Sequence, residues 1–151
     1  MLDQATSGPM WLKSPEIASL VQEALISKYA SFYKLWAYAV MSNHCHALLK
    51  PKLTNPSDTT SDPIAFAEIT KRIKGYTARE ANKILKRTGL TFWQDESFDH
   101  WIRNQQEFDR VVNYIENNPV KAGLVERPED WQWSSASERG RRGWDCVKSL
   151  T

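Results

Sequence analysis

The chain has 151 residues, 41% of them hydrophobic, which excludes a disordered chain and predicts a single globular domain over residues 1–151. A formal net charge of +2 is too small to indicate a nucleic-acid partner by itself. Cys45 and Cys146 form no Cys-x-x-Cys pair, no apolar run approaches the roughly 20 residues of a membrane span, and the N-terminus lacks a signal-peptide pattern. We therefore expect a cytoplasmic protein with reduced thiols.

The first third of the chain predicts a helix and then a β-hairpin. Ser14-Pro15-Glu16 is typical of a helix start, and apolar residues at helical spacing carry that helix to about Ala30. The aromatic-rich residues 32–40 predict a strand, residues 41–43 a turn, and residues 44–50 a second strand.

The rest of the chain predicts two further helices. Residues 51–62 are rich in Thr, Ser, Asp, Asn and Pro and predict an exposed loop, after which a helix runs over 63–87. Short strands are predicted at 91–94 and 98–102. A last helix is predicted from Gln105 to Asn117, ending at Pro119, and residues 136–151 are expected to be a flexible tail.

Two histidines share one face of the second predicted strand. His44 and His46 are two residues apart, and because strand side chains alternate, both imidazoles project to the same side while Cys45 projects to the other. Such a pair suits one shared cation and leaves other ligand positions open for phosphate and water. An incidental His-x-His on an exposed strand face is the alternative interpretation.

The last predicted helix carries a tyrosine beside its buried side. Phe108, Val111, Val112 and Ile115 define the apolar stripe, and Tyr114 falls off it. Asn118, four residues later, should lie on the same flank, offering an amide beside the phenol. Such a tyrosine is either a packing residue or a nucleophile; a phenol loses its proton only near pH 10, so attack on a phosphodiester would require activation.

The 63–87 helix is strongly basic. Phosphate-neutralising side chains with Tyr76 among them are typical of single-strand binding, and a solvated helix face is the alternative. The candidate DNA-binding residues are Lys71, Arg72, Lys74, Arg79 and Lys83.

Three segments together resemble the HUH-type single-tyrosine transposases, in particular the REP-associated tyrosine transposases of bacteria. They are residues 36–49 (WAYAVMSNHCHALL), residues 92–103, and residues 114–125 (YIENNPVKAGLV), which continue into 127–135 (RPEDWQWSS). The match covers most of the chain, and the combination is far more specific than any one segment.

The resemblance implies both a fold and a chemistry. The fold is an α/β (α+β) ferredoxin-like sandwich, an antiparallel sheet with helices on one face. His44 and His46 would be metal ligands for Mg²⁺ or Mn²⁺, Asn118 a further ligand, and Tyr114 the nucleophile that forms a 5′-phosphotyrosine while single-stranded DNA is cut and rejoined beside hairpins. The protein would be a monomer or homodimer associated with the bacterial nucleoid. The resemblance gives His100 no ligand role, and we expect Trp131 and Trp133 to be packing residues.

The chain departs from this family at its N-terminus. Only seven residues precede Gly8, whereas relatives have a first, central strand there. We expect that strand to be missing, which would leave the histidine strand with an unpaired edge. The alternatives to an active transposase are therefore a truncated or domesticated module that binds hairpin or single-stranded DNA without cutting it, and a metalloprotein unrelated to DNA.

Overall fold

The computed structural model describes residues 9–93 and 102–142, with side chains described as far as Arg139. Two short 3₁₀ turns, Trp11–Lys13 and Pro128–Asp130, precede the first and last helices, and a π-helical turn, Ala24–Lys28, extends the first helix. The main elements in chain order are α1 (Pro15–Glu23), β1 (Tyr33–Val40), β2 (Cys45–Pro51), α2 (Phe66–Ile84), α3 (Gln105–Lys121) and α4 (Ser135–Arg142).

Strands β1 and β2 form the predicted antiparallel hairpin. Val40 pairs with Cys45 and Ala39 with His46, and the Met41 N–H donates to the His44 carbonyl at 2.8 Å to close the turn. A bulge at Trp36 shifts the register between Leu35 and Ala37. Within the described residues the sheet has these two strands, and the α/β fold class is confirmed.

Helices cover both faces of the hairpin, which corrects the expectation of helices on one face. Alternation along each strand gives two apolar faces, and each needs a cover. The first core joins α1 and α2 to one strand face; its members include Ile17, Val21, Tyr38, Val40, Cys45, Ala47, Ile69 and Ile73. The second joins α3 to the other face and comprises Trp36, Ala37, Ala39, Met41, Leu48, Phe108, Val111 and Ile115.

Residues 131–135 cover the outer edge of β1. The Val40 N–H donates to the Trp133 carbonyl at 2.8 Å, and the Trp131 indole N–H donates to the Val40 carbonyl at 2.9 Å. The Ser135 hydroxyl accepts from the Tyr38 N–H at 3.1 Å. These bonds satisfy backbone groups that an open strand edge would leave to solvent. The Trp133 side chain packs against the first core, in line with the expected packing role.

Helix α3 continues past Pro119, where the sequence predicted that it would end. Pro119 lies inside its last turn, where a missing N–H removes only one helical hydrogen bond. The helix ends instead in a Schellman motif at Gly123, whose φ is +75°. The Gly123 N–H donates to the Val120 carbonyl and the Leu124 N–H to the Pro119 carbonyl, each at 2.9 Å.

Two other predictions need correction. Residues 136–142, predicted as the start of a flexible tail, belong to α4, because Ser137 and Glu138 are buried against the rest of the fold. Residues 91–93 are not a strand; Phe92 is buried in the first core instead. Residues 94–101 and 143–151 lie outside the described residues, as do nearly all of the predicted strand at 98–102, His100, and the end of the predicted tail.

None of the helices in the described part of the chain combines the length and apolar composition needed to cross a bilayer.

Candidate active site

The structure brings the two histidines together at the start of β2. His44 is the last residue of the turn and is half-buried, whereas His46 is fully buried at 0% exposure. Their rings meet edge to face with centroids 4.7 Å apart, and the two Nε2 atoms are 3.1 Å apart. The predicted shared face is therefore confirmed, and both imidazoles direct the same nitrogen to one point.

Asn43 orients the first of these histidines. Its side-chain oxygen lies 2.7 Å from His44 Nδ1. An amide oxygen can only accept, so Nδ1 carries the ring proton and Nε2 of His44 keeps its lone pair. Metal-binding histidines commonly donate their other ring N–H to an oxygen in this way. Sequence reasoning did not identify this role because residues 41–43 were predicted only as a turn. The position of Asn43 immediately before His44 was the available clue.

The donor set fits one divalent cation. Two nitrogens about 2.1 Å from a single ion, at a right angle, would be about 3.0 Å apart, close to the 3.1 Å between the two Nε2 atoms. Within the described residues no group of three or more His, Cys, Asp or Glu side chains gathers.

Helix α3 places Tyr114 against this pair. The Tyr114 ring packs edge to face on His46, with centroids 5.6 Å apart and planes at 78°. Phe108 and Ile115 are buried and Tyr114 is 39% exposed, as its position off the apolar stripe predicted. The helix starts at a capped residue: Asn104 accepts from the Glu107 N–H at 2.8 Å, which fixes where α3 begins.

Two residues share the flank of α3 that bears Tyr114. Asn118, one turn later, is half-buried, and its predicted place beside the phenol rests on this four-residue spacing. Arg110, one turn earlier, is exposed. Sequence reasoning missed Arg110, although the same spacing that selected Asn118 would have found it.

A buried carboxylate anchors α3 to the C-terminal part of the fold. Glu116 is 7% exposed; the Ser135 hydroxyl lies 2.8 Å from its Oε1, and the Arg139 guanidinium pairs with it. Burial raises the pKa of Glu116, and the bonds from Ser135 and Arg139 offset part of that rise. Because Ser135 also binds the backbone of Tyr38, these contacts tie the Tyr114 helix to β1.

The comparison with protein families identifies the family of this chain. Residues 14–118, which span α1 through most of α3 and include Tyr114, match the family described as transposase IS200 like. This chain belongs to the IS200-like transposase family.

Two curated relatives agree with that family. The chain is 30% identical over 104 residues to a candidate REP-associated tyrosine transposase of Haemophilus influenzae, a match that covers 66% of this chain and 56% of the relative. It is 39% identical over 51 residues to the REP-associated tyrosine transposase of Escherichia coli K12, covering 34% of this chain and 31% of the relative. The matched region thus spans about half of the first relative and a third of the second.

A solved structure shares the fold. It is described as a REP-associated tyrosine transposase bound to a REP hairpin, and it superposes with a TM-score of 0.66. The superposition covers 94% of this chain and 76% of that structure, at 24% identity.

The basic residues of α2 do not join the histidines. Helix α2 packs on the first core, across the sheet from His46 and Tyr114. Four of the five predicted DNA-binding residues are exposed and Lys74 is half-buried. Arg72 pairs with Glu68 at 2.8 Å and Lys83 with Glu80 at 2.9 Å. Exposed pairs of this kind contribute little, so phosphates can compete for these cations.

Proposed function

We propose that this IS200-like transposase cleaves and rejoins single-stranded DNA beside hairpins, with Tyr114 as its nucleophile. The observation that carries the proposal is the packing of Tyr114 on His46, while the Nε2 atom of His46 lies 3.1 Å from that of His44. A phenol beside a converging nitrogen pair suits nucleophilic attack on a phosphate that a cation at that pair would polarise.

His44 and His46 would hold the divalent cation, Mg²⁺ or Mn²⁺, and Asn118 would complete the protein ligands. The bound ion would supply positive charge to the scissile phosphate. Asn43 keeps the His44 lone pair on the Nε2 atom that faces His46. The burial of His46 excludes water from one side of the site, which strengthens electrostatic interactions there.

The covalent step proceeds at the Tyr114 oxygen. The phenol gives up its proton as its oxygen bonds to the phosphorus, and the bond from phosphorus to the 3′ oxygen breaks. The 3′ oxygen takes up a proton and leaves as a 3′-hydroxyl, so one proton is released and one is gained. Tyr114 is then linked to the 5′ end of the DNA. Rejoining is the reverse reaction, in which a 3′-hydroxyl attacks the phosphotyrosine and releases Tyr114.

The DNA partner is proposed from the solved relative, which is bound to a REP hairpin. Arg110 is exposed one turn from Tyr114 and would contact a phosphate near the cleavage point. Lys71, Arg72, Lys74, Arg79 and Lys83 would hold DNA elsewhere, because α2 lies across the sheet. Phosphate neutralisation by such residues supplies most of the sequence-independent affinity.

A covalent-trapping experiment tests the proposal. The protein is incubated with end-labelled single-stranded hairpin oligonucleotides and Mn²⁺, and denaturing electrophoresis reports any adduct. We expect an adduct that Tyr114→Phe abolishes and that Gln106→Ala, a control at an exposed position of the same helix, retains. Tight binding with no adduct in the unsubstituted protein would instead support the non-cutting module.

A further inference from the structure

Three aromatic rings form a continuous row on the surface of the α1–α2 side. Phe32 and Tyr29 have ring centroids 6.2 Å apart with planes at 44°, and Tyr29 and Tyr76 have centroids 6.0 Å apart with planes at 73°. All three side chains are half-buried. Tyr29 and Phe32 follow α1, and Tyr76 lies in the middle of α2, so only the fold brings this ring row together.

A cation lies over each end of the ring row. The Arg72 guanidinium lies 5.1 Å from the Phe32 centroid, and the Lys28 ammonium lies 4.3 Å from the Tyr76 centroid. Both cationic side chains are exposed, as is Lys52, whose ammonium donates to the Ala30 carbonyl at 3.2 Å. The surface therefore presents partly exposed aromatic rings and positive charge together.

The ring row is separate from the candidate active site. Tyr29 and Phe32 pack against the first core, under α1 and α2. His46 and Tyr114 contact each other on the opposite face of the sheet, which α3 covers. A molecule bound to the ring row would not reach the histidine pair directly.

We propose that the ring row binds an unpaired stretch of DNA, with successive bases stacking on Phe32, Tyr29 and Tyr76. Bases in one strand of a duplex are about 3.4 Å apart along the axis, whereas the rings are 6.2 and 6.0 Å apart and tilted against one another. Only an extended, unstacked strand presents its bases at such spacings. Lys28 and Arg72 neutralise the adjoining phosphates, the combination that single-strand binding surfaces share.

The ring row deepens the proposed function and rests on it in one respect, namely that the substrate is DNA. The strand held there would be the single-stranded flank of the hairpin, continuing around the sheet from the cleavage point. Its contribution is to affinity and to the choice of single strand over duplex, since none of its residues reaches the reacting atoms.

Fluorescence anisotropy with an oligothymidine and with a duplex of equal length tests the proposal. Replacing Tyr76→Leu or Phe32→Leu should weaken single-strand binding about tenfold while changing duplex binding by less than about twofold. Tyr76→Phe keeps the ring and should restore single-strand affinity. Lys28→Gln should reduce the salt dependence of single-strand binding by about 0.7 in the log-log slope, and Arg127→Gln, an exposed control on the α3 side, should leave it unchanged.

Thermal unfolding of each variant separates loss of a contact from loss of fold. Equal losses for single strand and duplex, or no loss in two folded leucine variants, would overturn the proposal. Formation of the Tyr114 adduct measures cleavage separately from DNA binding. Tyr76→Leu should still form the Tyr114 adduct at saturating DNA, and Tyr114→Phe should keep its single-strand affinity. If no adduct ever forms but the leucine variants lose single-strand affinity, the ring row stands while the transposase chemistry fails.

Discussion

The imidazole of His46 and the phenol ring of Tyr114 meet edge to face across the interface between β2 and α3, with centroids 5.6 Å apart. His46 is fully enclosed, whereas Tyr114 keeps 39% of its surface exposed. The candidate site is thus dry on the strand side and open on the helix side. DNA would approach along the flank of α3, where Arg110 and Asn118 lie one turn to either side of Tyr114.

The two histidines should differ in their structural importance. His46→Ala empties a fully buried position and should lower the free energy of unfolding by about 2 kcal/mol, whereas His44→Ala at a half-buried position should cost less than about 1 kcal/mol. Both should remove Mn²⁺-dependent adduct formation. Urea unfolding of the two variants gives the comparison. Equal destabilisation, or metal-dependent cleavage that survives in folded His44→Ala, would contradict the assigned roles.

Asn43 should raise the metal affinity indirectly, through His44, without binding the ion itself. Asn43→Ala removes the oxygen that holds the His44 ring proton on Nδ1, and loss of such a support typically weakens metal binding about 10- to 100-fold. Titration calorimetry with Mn²⁺ measures the change, and Ser42→Ala, the preceding residue in the same turn, is the control. An unchanged Mn²⁺ affinity in Asn43→Ala would show that His44 needs no such orientation.

The Glu116–Arg139 pair should contribute to stability through charge compensation. Arg139→Ala leaves the buried Glu116 carboxylate with Ser135 alone and should cost about 2 kcal/mol, less than for a fully enclosed pair because Arg139 is about one-third exposed. Adding Glu116→Gln to Arg139→Ala removes the uncompensated carboxylate charge and should recover part of the lost free energy of unfolding. A double-mutant cycle by chemical denaturation gives the coupling energy; strictly additive losses would mean that the two side chains act independently.

Alkaline pH should destabilise the fold through Cys45. Burial raises the pKa of the Cys45 thiol to about 12, and burial also raises the pKa of Tyr33. Because the unfolded thiol ionises near pH 8.5, stability is fully present below that pH and falls by about 2 kcal/mol on reaching pH 10. Cys45→Ala should lack that part of the decline. Urea unfolding at pH 7 and pH 10 measures it, and identical slopes in both proteins would contradict the prediction.

The α2 cations and Arg110 should affect different steps. Lys71→Gln with Lys74→Gln should reduce the salt slope of single-strand binding by up to about 1.4, at roughly 0.7 per lost phosphate contact, with adduct formation intact at saturating DNA. Arg110→Gln should slow adduct formation at saturating DNA, because its contact lies near Tyr114. Affinity at several salt concentrations and single-turnover adduct rates separate the two. The reverse assignment would place the cleavage site on the α2 side.

Local patterns in the chain determined the parts from which the site is built. Strand alternation put His44 and His46 on one face, and helical spacing put Tyr114 off the buried stripe of α3, because these periods are properties of the backbone itself. The same reasoning located α2 and its basic residues. It failed at Pro119, where a glycine two residues past the end of the helix, and not the proline, supplies the stop.

Only the tertiary structure decided which parts meet. Periodicity specifies which side of an element is buried but not which element buries it. The family resemblance implied helices on one face of the sheet, whereas α1 and α2 cover one face and α3 the other. That arrangement brings Tyr114 onto His46 and carries the basic helix away from both. It also assembles Phe32, Tyr29 and Tyr76 into one row, because packing between α2 and the segment after α1 joins residues that the sequence keeps apart.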